Sequence, residues 1–296
     1  MRRSLLGTAL LLTLPAAEAA AVTPSSPTST PPPVTTVAKA DAAQSLATYC
    51  PRPLHRATRL IIVTVPSMTS ANATLHTFER RSPADATWMR AGPPETAVVG
   101  TAGIGWSASY THLAKKDEAI KQEGDKRTPA GVFRVAGPFG FDSSKLAGYT
   151  QLTKDNSFCV DDPTSSLYGK IVGKGLAKLA KSSENMSSAP GLKRGMIVDY
   201  PARRGAKAGS CIFVQVWDGQ GVGTNARIGM AEDRLTVLQK WSAQGFTTIA
   251  IMSEDAVVRM KGCLPLNSAA GKYEQKAVLP LPHPRRDKEQ RAELAR

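Results

Sequence analysis

Residues that bind metals and cofactors are scarce in this sequence, which has four histidines and four cysteines among 296 residues. It has no Cys-x-x-Cys pair and no cluster of cysteine with histidine, so we predict no metal site. The glycine-rich run at 100–106 is a poor nucleotide-binding loop, because no helix with a following acidic residue is evident. No pattern of a nucleic-acid-binding module occurs either. We therefore predict no cofactor and no nucleic-acid partner.

Long apolar runs are also missing. Residues 5–14 form an apolar stretch, preceded by Arg2 and Arg3 and followed by the small-x-small sequence of residues 17–19. This arrangement predicts a secretory signal peptide over residues 1–21. The stretch is too short to span a bilayer, and no later segment is long enough. We expect an exported protein, periplasmic or extracellular and cell-wall associated, with no transmembrane segment after signal removal.

The remaining chain divides by composition. Residues 22–49 are rich in proline, threonine and serine, which predicts an extended linker without a core of its own. Residues 50–266 form the predicted folded domain. Residues 267–296 are polar, with three prolines before a charged end, and we predict a tail to which we assign no function.

Acidic residues are outnumbered, with 24 Asp and Glu against 38 Lys and Arg, for a formal charge of +14. In an exported protein this excess favours anionic envelope polymers or lipid head groups as partners. A solvated basic surface explains the same excess. Four lysines would share one face of a helix, although two glycines among them weaken that helix: Lys170, Lys174, Lys178 and Lys181.

The cysteines of an exported protein are expected to form disulfides. Four cysteines allow three connectivities. Cys50 and Cys263 bracket the predicted domain, so one bridge between them would tie its ends together. Cys159 and Cys211 would then form the second bridge.

The sequence around residues 209–230 combines a strand, a flexible loop and a helix start, a common setting for a functional site. Residues 210–217 are β-branched and aromatic without a breaker, which predicts a strand. Alternation puts Ile212, Val214 and Val216 on one face and Cys211, Phe213, Gln215 and Trp217 on the other. Residues 218–223 form a glycine-rich loop, and residues 231–241 have helical spacing.

Further strands are predicted elsewhere in the domain, since short β-branched or alternating runs recur between turn residues. The fold class is therefore mainly β with a few helices. The additional predicted strands cover residues 59–65, 73–80, 196–200 and 247–252, and within residues 121–133 a charged turn is followed by another strand.

Four motifs carry a resemblance to one family. They are Gly-x-x-Gly-x-Gly-Trp at 100–106, Lys-x-Glu-Gly-Asp-x-x-Thr-Pro-Ala-Gly-x-Phe at 121–133, Phe-Cys-Val-Asp-Asp-Pro at 158–163, and Gly-Ser-Cys-Ile-Phe-Val with the following Gly-Thr-x-x-x-x-x-Met-Ala-Glu at 209–232. Residues 58–255 resemble the catalytic domain of the L,D-transpeptidases, the YkuD type. The resemblance implies a YkuD-like L,D-transpeptidase β-sandwich or open barrel.

The family's reacting residues are replaced here. Its members attack the peptide stem of peptidoglycan with a cysteine thiolate whose ionisation a histidine sets. Gln215 stands at the histidine position, Arg227 at the cysteine position and Ala226 at the preceding glycine. Glutamine does not take up a proton near neutral pH, and arginine is no nucleophile. The resemblance therefore predicts a pseudoenzyme, a catalytically inactive homologue.

Binding without catalysis is the function that this resemblance favours. A guanidinium at the bottom of a stem-peptide groove would pair with a carboxylate of the stem. We expect five residues to contact that ligand: Arg227, Gln215, Thr224, Trp217 and His112.

Two other functions stay open. An active transpeptidase or carboxypeptidase would need a relocated nucleophile, and Cys211 lies roughly 13 Å along the strand from Gln215. The other alternative is a structural envelope protein that acts through protein contacts.

Asp161 and Asp162 are neighbours, and paired carboxylates suit acid–base chemistry. Because they precede Pro163, turn hydrogen bonds are the favoured role.

Overall fold

A computed structural model describes residues 50–202, 205–260 and 262–266. The predicted signal peptide, linker and tail lie outside the described residues. The helices are α1 (Arg52–Arg56), α2 (Lys174–Ala177), α3 (Glu232–Ser242) and α4 (Glu254–Arg259). The strands are β1 (Arg59–Val65), β2 (Asn72–Glu79), β3 (Met89–Arg90), β4 (Glu95–Val98), β5 (Ile104–Trp106), β6 (Thr128–Gly140), β7 (Thr150–Gln151), β8 (Phe158–Cys159), β9 (Ile171–Val172), β10 (Glu184–Asn185), β11 (Arg194–Asp199), β12 (Phe213–Val216), β13 (Ile228–Met230) and β14 (Thr247–Ser253).

The larger sheet closes on itself. Its strand order is β1-β14-β6-β11-β12-β13-β4-β2-β3, and β1 pairs with β2 as well as with β14. Strands β5 and β7 both pair with β6. A separate three-stranded sheet has the order β10-β8-β9. The predicted fold class, mainly β with a few helices, is confirmed.

Two hydrophobic clusters divide the interior. The main core takes side chains from the closed sheet and from α3, and β14 is buried along its whole length. Strand β14 runs parallel to β1, and both are β-branched or apolar runs of the kind that fill buried strands. The second cluster lies around Phe139, Met186, Leu192 and Phe213 and includes Cys159 with Cys211.

Strand β12 separates the two clusters, as its alternation predicts. Ile212 and Val214 lie in the main core, whereas Cys211 and Phe213 lie in the second cluster. The strand itself is shorter than predicted and begins at Phe213. Cys211 has a φ of 54°, in the left-handed region, so the extended backbone is interrupted there.

The predicted lysine-bearing helix is wrong in length. Helix α2 has four residues, and Lys170, Lys178 and Lys181 lie outside it. Gly173 and Gly175 disfavour helix propagation. Side chains of other segments also bind the flanking backbone: the Lys174 N–H donates to Asn156 Oδ1 at 2.9 Å, and the Lys181 N–H donates to Asp162 Oδ2 at 2.9 Å.

Both expected disulfides are present. Cys50 bonds to Cys263 and Cys159 bonds to Cys211, so the first bridge joins the ends of the domain and the second anchors β8 to the start of the central stretch.

The longest described helix, α3, has 11 residues, and no described helix combines the length and apolar character that a membrane span needs.

Candidate functional site

The loop between β12 and β13 holds Arg227 through two threonines. Thr224 Oγ1 accepts from the Arg227 N–H at 2.9 Å and also donates to the Arg227 carbonyl. Thr128 Oγ1, from β6, donates to the same carbonyl at 3.0 Å. Ala226 has a φ of 65°, where glycine is the usual residue. The backbone conformation of the loop is therefore fixed by hydrogen bonds with Thr224 inside it and with Thr128 of β6.

The Arg227 guanidinium is buried, with 8% of its side chain exposed. Its Nη1 and Nη2 donate to the two carboxylate oxygens of Glu184, with Nη1 at 3.2 Å from Oε1. Its Nε donates to the Cys211 carbonyl at 3.1 Å. The guanidinium carbon lies 5.2 Å from the centre of the Phe213 ring, within the range of a cation–π contact. Arg227 is thus bound by charge, hydrogen bonds and an aromatic face.

Gln215 lies beside this ion pair. Its Oε1 accepts from Arg227 Nη1 at 3.5 Å, and its Nε2 donates to the Val216 carbonyl at 3.3 Å. The structure therefore brings Gln215, Thr224 and Arg227 together. A neutral amide and a paired guanidinium provide neither a base nor a nucleophile. Both disulfides also leave every cysteine of the chain without a thiol.

A polar cavity of about 250 Å³ opens next to Arg227. Charged groups of both signs line it, together with polar and backbone groups. The lining residues are Lys121, Glu123, Gly124, Lys126, Asp161, Glu184, Ser210, Cys211, Asn225, Ala226 and Arg227.

Several of these charges already have partners within the protein. Lys121 Nζ lies 2.5 Å from Asp125 Oδ1. Glu123 accepts hydrogen bonds from the Tyr168 hydroxyl and, at 2.9 Å, from Ser210 Oγ. Burial and the adjacent Glu123 carboxylate raise the pKa of Tyr168 above its ordinary range. Tyr168 therefore stays protonated and serves as a donor to Glu123.

Two charged groups of the cavity are not satisfied in this way. Asp161 Oδ1 is buried and has no hydrogen-bond partner among the described residues. Lys126 is exposed and forms no ion pair with any described carboxylate. A buried oxygen without a partner is costly unless something binds it. Asp161 Oδ1 can therefore accept a donor from a bound group, and the exposed Lys126 ammonium is available to bind an anionic group.

The neighbouring aspartate has the turn role that was favoured from the sequence. Asp162 Oδ1 accepts from the Thr164 N–H at 2.9 Å and from the Thr164 hydroxyl at 2.7 Å. The Lys181 N–H bond, followed by those of Thr164, lowers the pKa of Asp162. The two adjacent carboxylates thus have different environments, and Asp162 is fully used by the fold.

Of the five residues expected to contact a ligand, Arg227 lines the cavity, and Gln215 and Thr224 contact Arg227 without lining it. Trp217 and His112 lie outside the lining as well. Trp217 follows β12 and donates its backbone N–H to the Met230 carbonyl at 3.1 Å. His112 lies exposed on the 3-10 segment Ala108–Leu113, with its ring 6.2 Å from that of Tyr110. Glu184 could not be identified as a site residue from the sequence, because nothing in its local sequence indicates a long-range partner for Arg227.

No set of three or more His, Cys, Asp or Glu side chains in the described part of the chain has the arrangement of a metal site. The three carboxylates of the cavity are used differently, since Glu184 binds Arg227 and Glu123 binds Tyr168 and Ser210.

Comparisons with known proteins give little likeness. No protein-family model matches the chain, and no curated protein does. Among solved structures, it is similar to the helical cell shape determining protein Pgp2 from Campylobacter jejuni, with a TM-score of 0.34 and 12% sequence identity. The match covers 71% of this chain and 54% of that one, so this chain spans about half the length of that protein. A likeness this remote carries no argument about function.

Proposed function

We propose that this is an exported, catalytically silent, L,D-transpeptidase-like protein of the cell envelope that binds peptidoglycan stem peptides. The observation that carries the proposal is the cavity beside Arg227, which is lined by the buried, unpartnered Asp161 Oδ1 and by the exposed Lys126 ammonium. The sequence resemblance supplies the class of ligand.

The charges of the cavity suit a zwitterionic peptide. A stem peptide that contains a diamino acid presents a free ammonium group and carboxylates within a few ångströms of one another. An ammonium group would satisfy Asp161 Oδ1, and a carboxylate would bind Lys126. Arg227 would then support the binding surface rather than bind the carboxylate alone, because Glu184 already occupies both of its terminal nitrogens.

The lack of catalysis follows from the same geometry. Gln215 holds Arg227 instead of activating a thiol, and Cys211 is bonded to Cys159. Removing one member of a nucleophile–base pair already abolishes most of the rate enhancement, and here both positions are changed.

Calorimetric titration with a purified tetrapeptide stem tests the proposal. We expect Lys126→Gln and Asp161→Asn each to weaken binding roughly tenfold, as for the loss of one charge-assisted contact. The matched controls are Lys116→Gln and Asp117→Asn, which change exposed charges outside the cavity. Undetectable binding, or cavity variants that bind as tightly as the controls, would refute stem-peptide binding.

A structural envelope interaction protein is the second candidate, and the Arg227–Glu184 ion pair favours it. That pair fills the position of the reacting group with a buried contact that needs no ligand. A protein without measurable stem-peptide affinity that still captures envelope proteins in a pull-down would support this second function over the first.

A further inference from the structure

We propose that residues 170–181, called the basic loop below, dock on the surface of an anionic phospholipid bilayer. This surface is separate from the cavity beside Arg227, and the inference goes beyond stem-peptide binding. It depends on two exposed leucines surrounded by lysines.

The leucines of the basic loop are unusually exposed. Leu179 is 77% exposed, more than any other large apolar residue in the described part of the chain, and Leu176 is 51% exposed. The Leu179 N–H donates to the Leu176 carbonyl at 3.0 Å, so one turn presents both side chains together. Ala177 between them is buried and packs the turn against the domain. Two adjacent leucines facing water in this way indicate an apolar partner.

The charge of the basic loop is of one sign. Its sequence is Lys-Ile-Val-Gly-Lys-Gly-Leu-Ala-Lys-Leu-Ala-Lys, with four lysines and no acidic residue. All four lysines are exposed, and none forms an ion pair with a carboxylate in the described part of the chain. Asp155 interacts with the charge of Lys174 and Asp162 with that of Lys181, and both carboxylates already accept hydrogen bonds within the fold. Lysines around an apolar tip match anionic head groups around acyl chains.

The loop is held in place before any partner arrives. Asn156 binds its backbone at Lys174, and Asp162 binds it at Lys181. The Ala180 N–H closes the turn by donating to the Ala177 carbonyl at 3.1 Å. Little conformational entropy is then lost on docking, because the two leucines are already presented by a fixed turn.

A bilayer fits this surface better than a soluble polyanion does. Lysines alone suffice for an anionic polymer, which would leave Leu176 and Leu179 in water. A membrane interface removes the leucines from water and also satisfies the lysines. The two contributions together are needed for stable attachment, since neither a short apolar tip nor a few cations give more than weak binding alone.

Sedimentation with vesicles tests the inference on the full chain purified after export. We expect binding to vesicles of phosphatidylglycerol mixed with phosphatidylcholine, and none to phosphatidylcholine alone. Leu176→Ser combined with Leu179→Ser should lower the partition coefficient at least roughly tenfold. Lys174→Gln combined with Lys178→Gln should lower it by a similar factor. The matched control is Phe246→Ser, at another exposed apolar residue, and it should bind as the parent does.

Three results would overturn the inference: no binding of the parent to anionic vesicles, parent-like binding of the leucine variant, or an equal loss in Phe246→Ser. Parent-like binding of the leucine variant, with equal affinity for soluble polyglutamate, would indicate a polymer-binding surface instead. Far-ultraviolet circular dichroism and melting temperature establish that each surface variant is folded.

Discussion

Arg227 and Glu184 form a bidentate ion pair, in which the two terminal nitrogens of the guanidinium donate to the two carboxylate oxygens. Arg227 lies in the loop before β13, and Glu184 begins β10 in the smaller sheet. The pair therefore connects the closed sheet to the three-stranded sheet.

Breaking this pair should destabilise the protein. Glu184→Gln keeps the shape of the side chain but leaves the buried guanidinium without a counter-charge, so we expect the free energy of unfolding to fall by about 2 kcal/mol. Urea denaturation measures it. Asp199→Asn is the matched control, because the Arg134–Asp199 pair is more than half exposed and should change stability by less than about 0.5 kcal/mol. Equal stability of the two variants would mean that the Arg227–Glu184 pair contributes nothing net.

The cysteines should be unreactive until they are reduced. Intact mass after incubation with a thiol-reactive carbapenem should show no adduct, and alkylation of the denatured, unreduced protein should add no label. Reduction should then expose all four cysteines to the same reagent, which is the positive control. An adduct on Cys211, or on any other cysteine, would restore the hypothesis of an enzyme with a relocated nucleophile.

Stability should fall on mild acidification because of His76. Burial, followed by the charge of Arg90, lowers the pKa of His76 to about 4 from an ordinary value of 6.5. Between these two pH values the unfolded chain binds a proton that the folded protein does not. The part of the unfolding free energy that depends on His76 is therefore fully present above pH 6.5. It falls by roughly 3 kcal/mol as the pH is lowered to about 4.

His76→Gln should flatten this dependence of the unfolding free energy on pH, whatever its effect at neutral pH. His112→Gln, which changes an exposed histidine, should keep the parental slope. Urea denaturation at several pH values gives the slopes. A parental slope in His76→Gln would assign the acid sensitivity to other groups.

Alanine substitutions at two glycines should distinguish the stability cost of backbone strain from that of a steric clash. Gly103 and Gly124 have φ values of 84° and 75°, and both positions disfavour other residues. A Cβ at Gly103 would lie 2.2 Å from the Met68 carbonyl oxygen, whereas one at Gly124 would meet nothing within 4 Å. We expect Gly124→Ala to cost about 1 kcal/mol and Gly103→Ala about 3 kcal/mol or more. Equal losses in melting temperature would contradict the clash.

The fold class and the central strand could be predicted because their signals are local. Alternation along β12 assigned Ile212 and Val214 to one side and Cys211 and Phe213 to the other, and the two hydrophobic clusters confirm it. The strand was predicted to start at residue 210, which was too early. A positive φ at Cys211 interrupts it, and nothing in a β-forming sequence indicates that interruption. The pattern of apolar residues in the sequence does not predict the turn of the backbone at Cys211, which the disulfide holds.

The partners within the site could not be predicted. Glu184 lies 43 residues from Arg227 along the chain, and no periodicity relates the two. The lysine spacing suggested a helix, but the Asn156 and Asp162 side chains accept hydrogen bonds from that backbone and hold it in a loop with a single helical turn. Tertiary contacts decided both features.

The Cys50–Cys263 bridge determines how the domain responds to force. The segments before Cys50 and after Leu266 attach to the domain beside a covalent bond, with the two cysteine Cα atoms 5.4 Å apart. Tension applied between these two segments passes through the sulfur atoms and not through the hydrogen bonds between β1 and β14. The domain would therefore stay folded when its two ends are pulled apart, until a reductant cleaves the bridge.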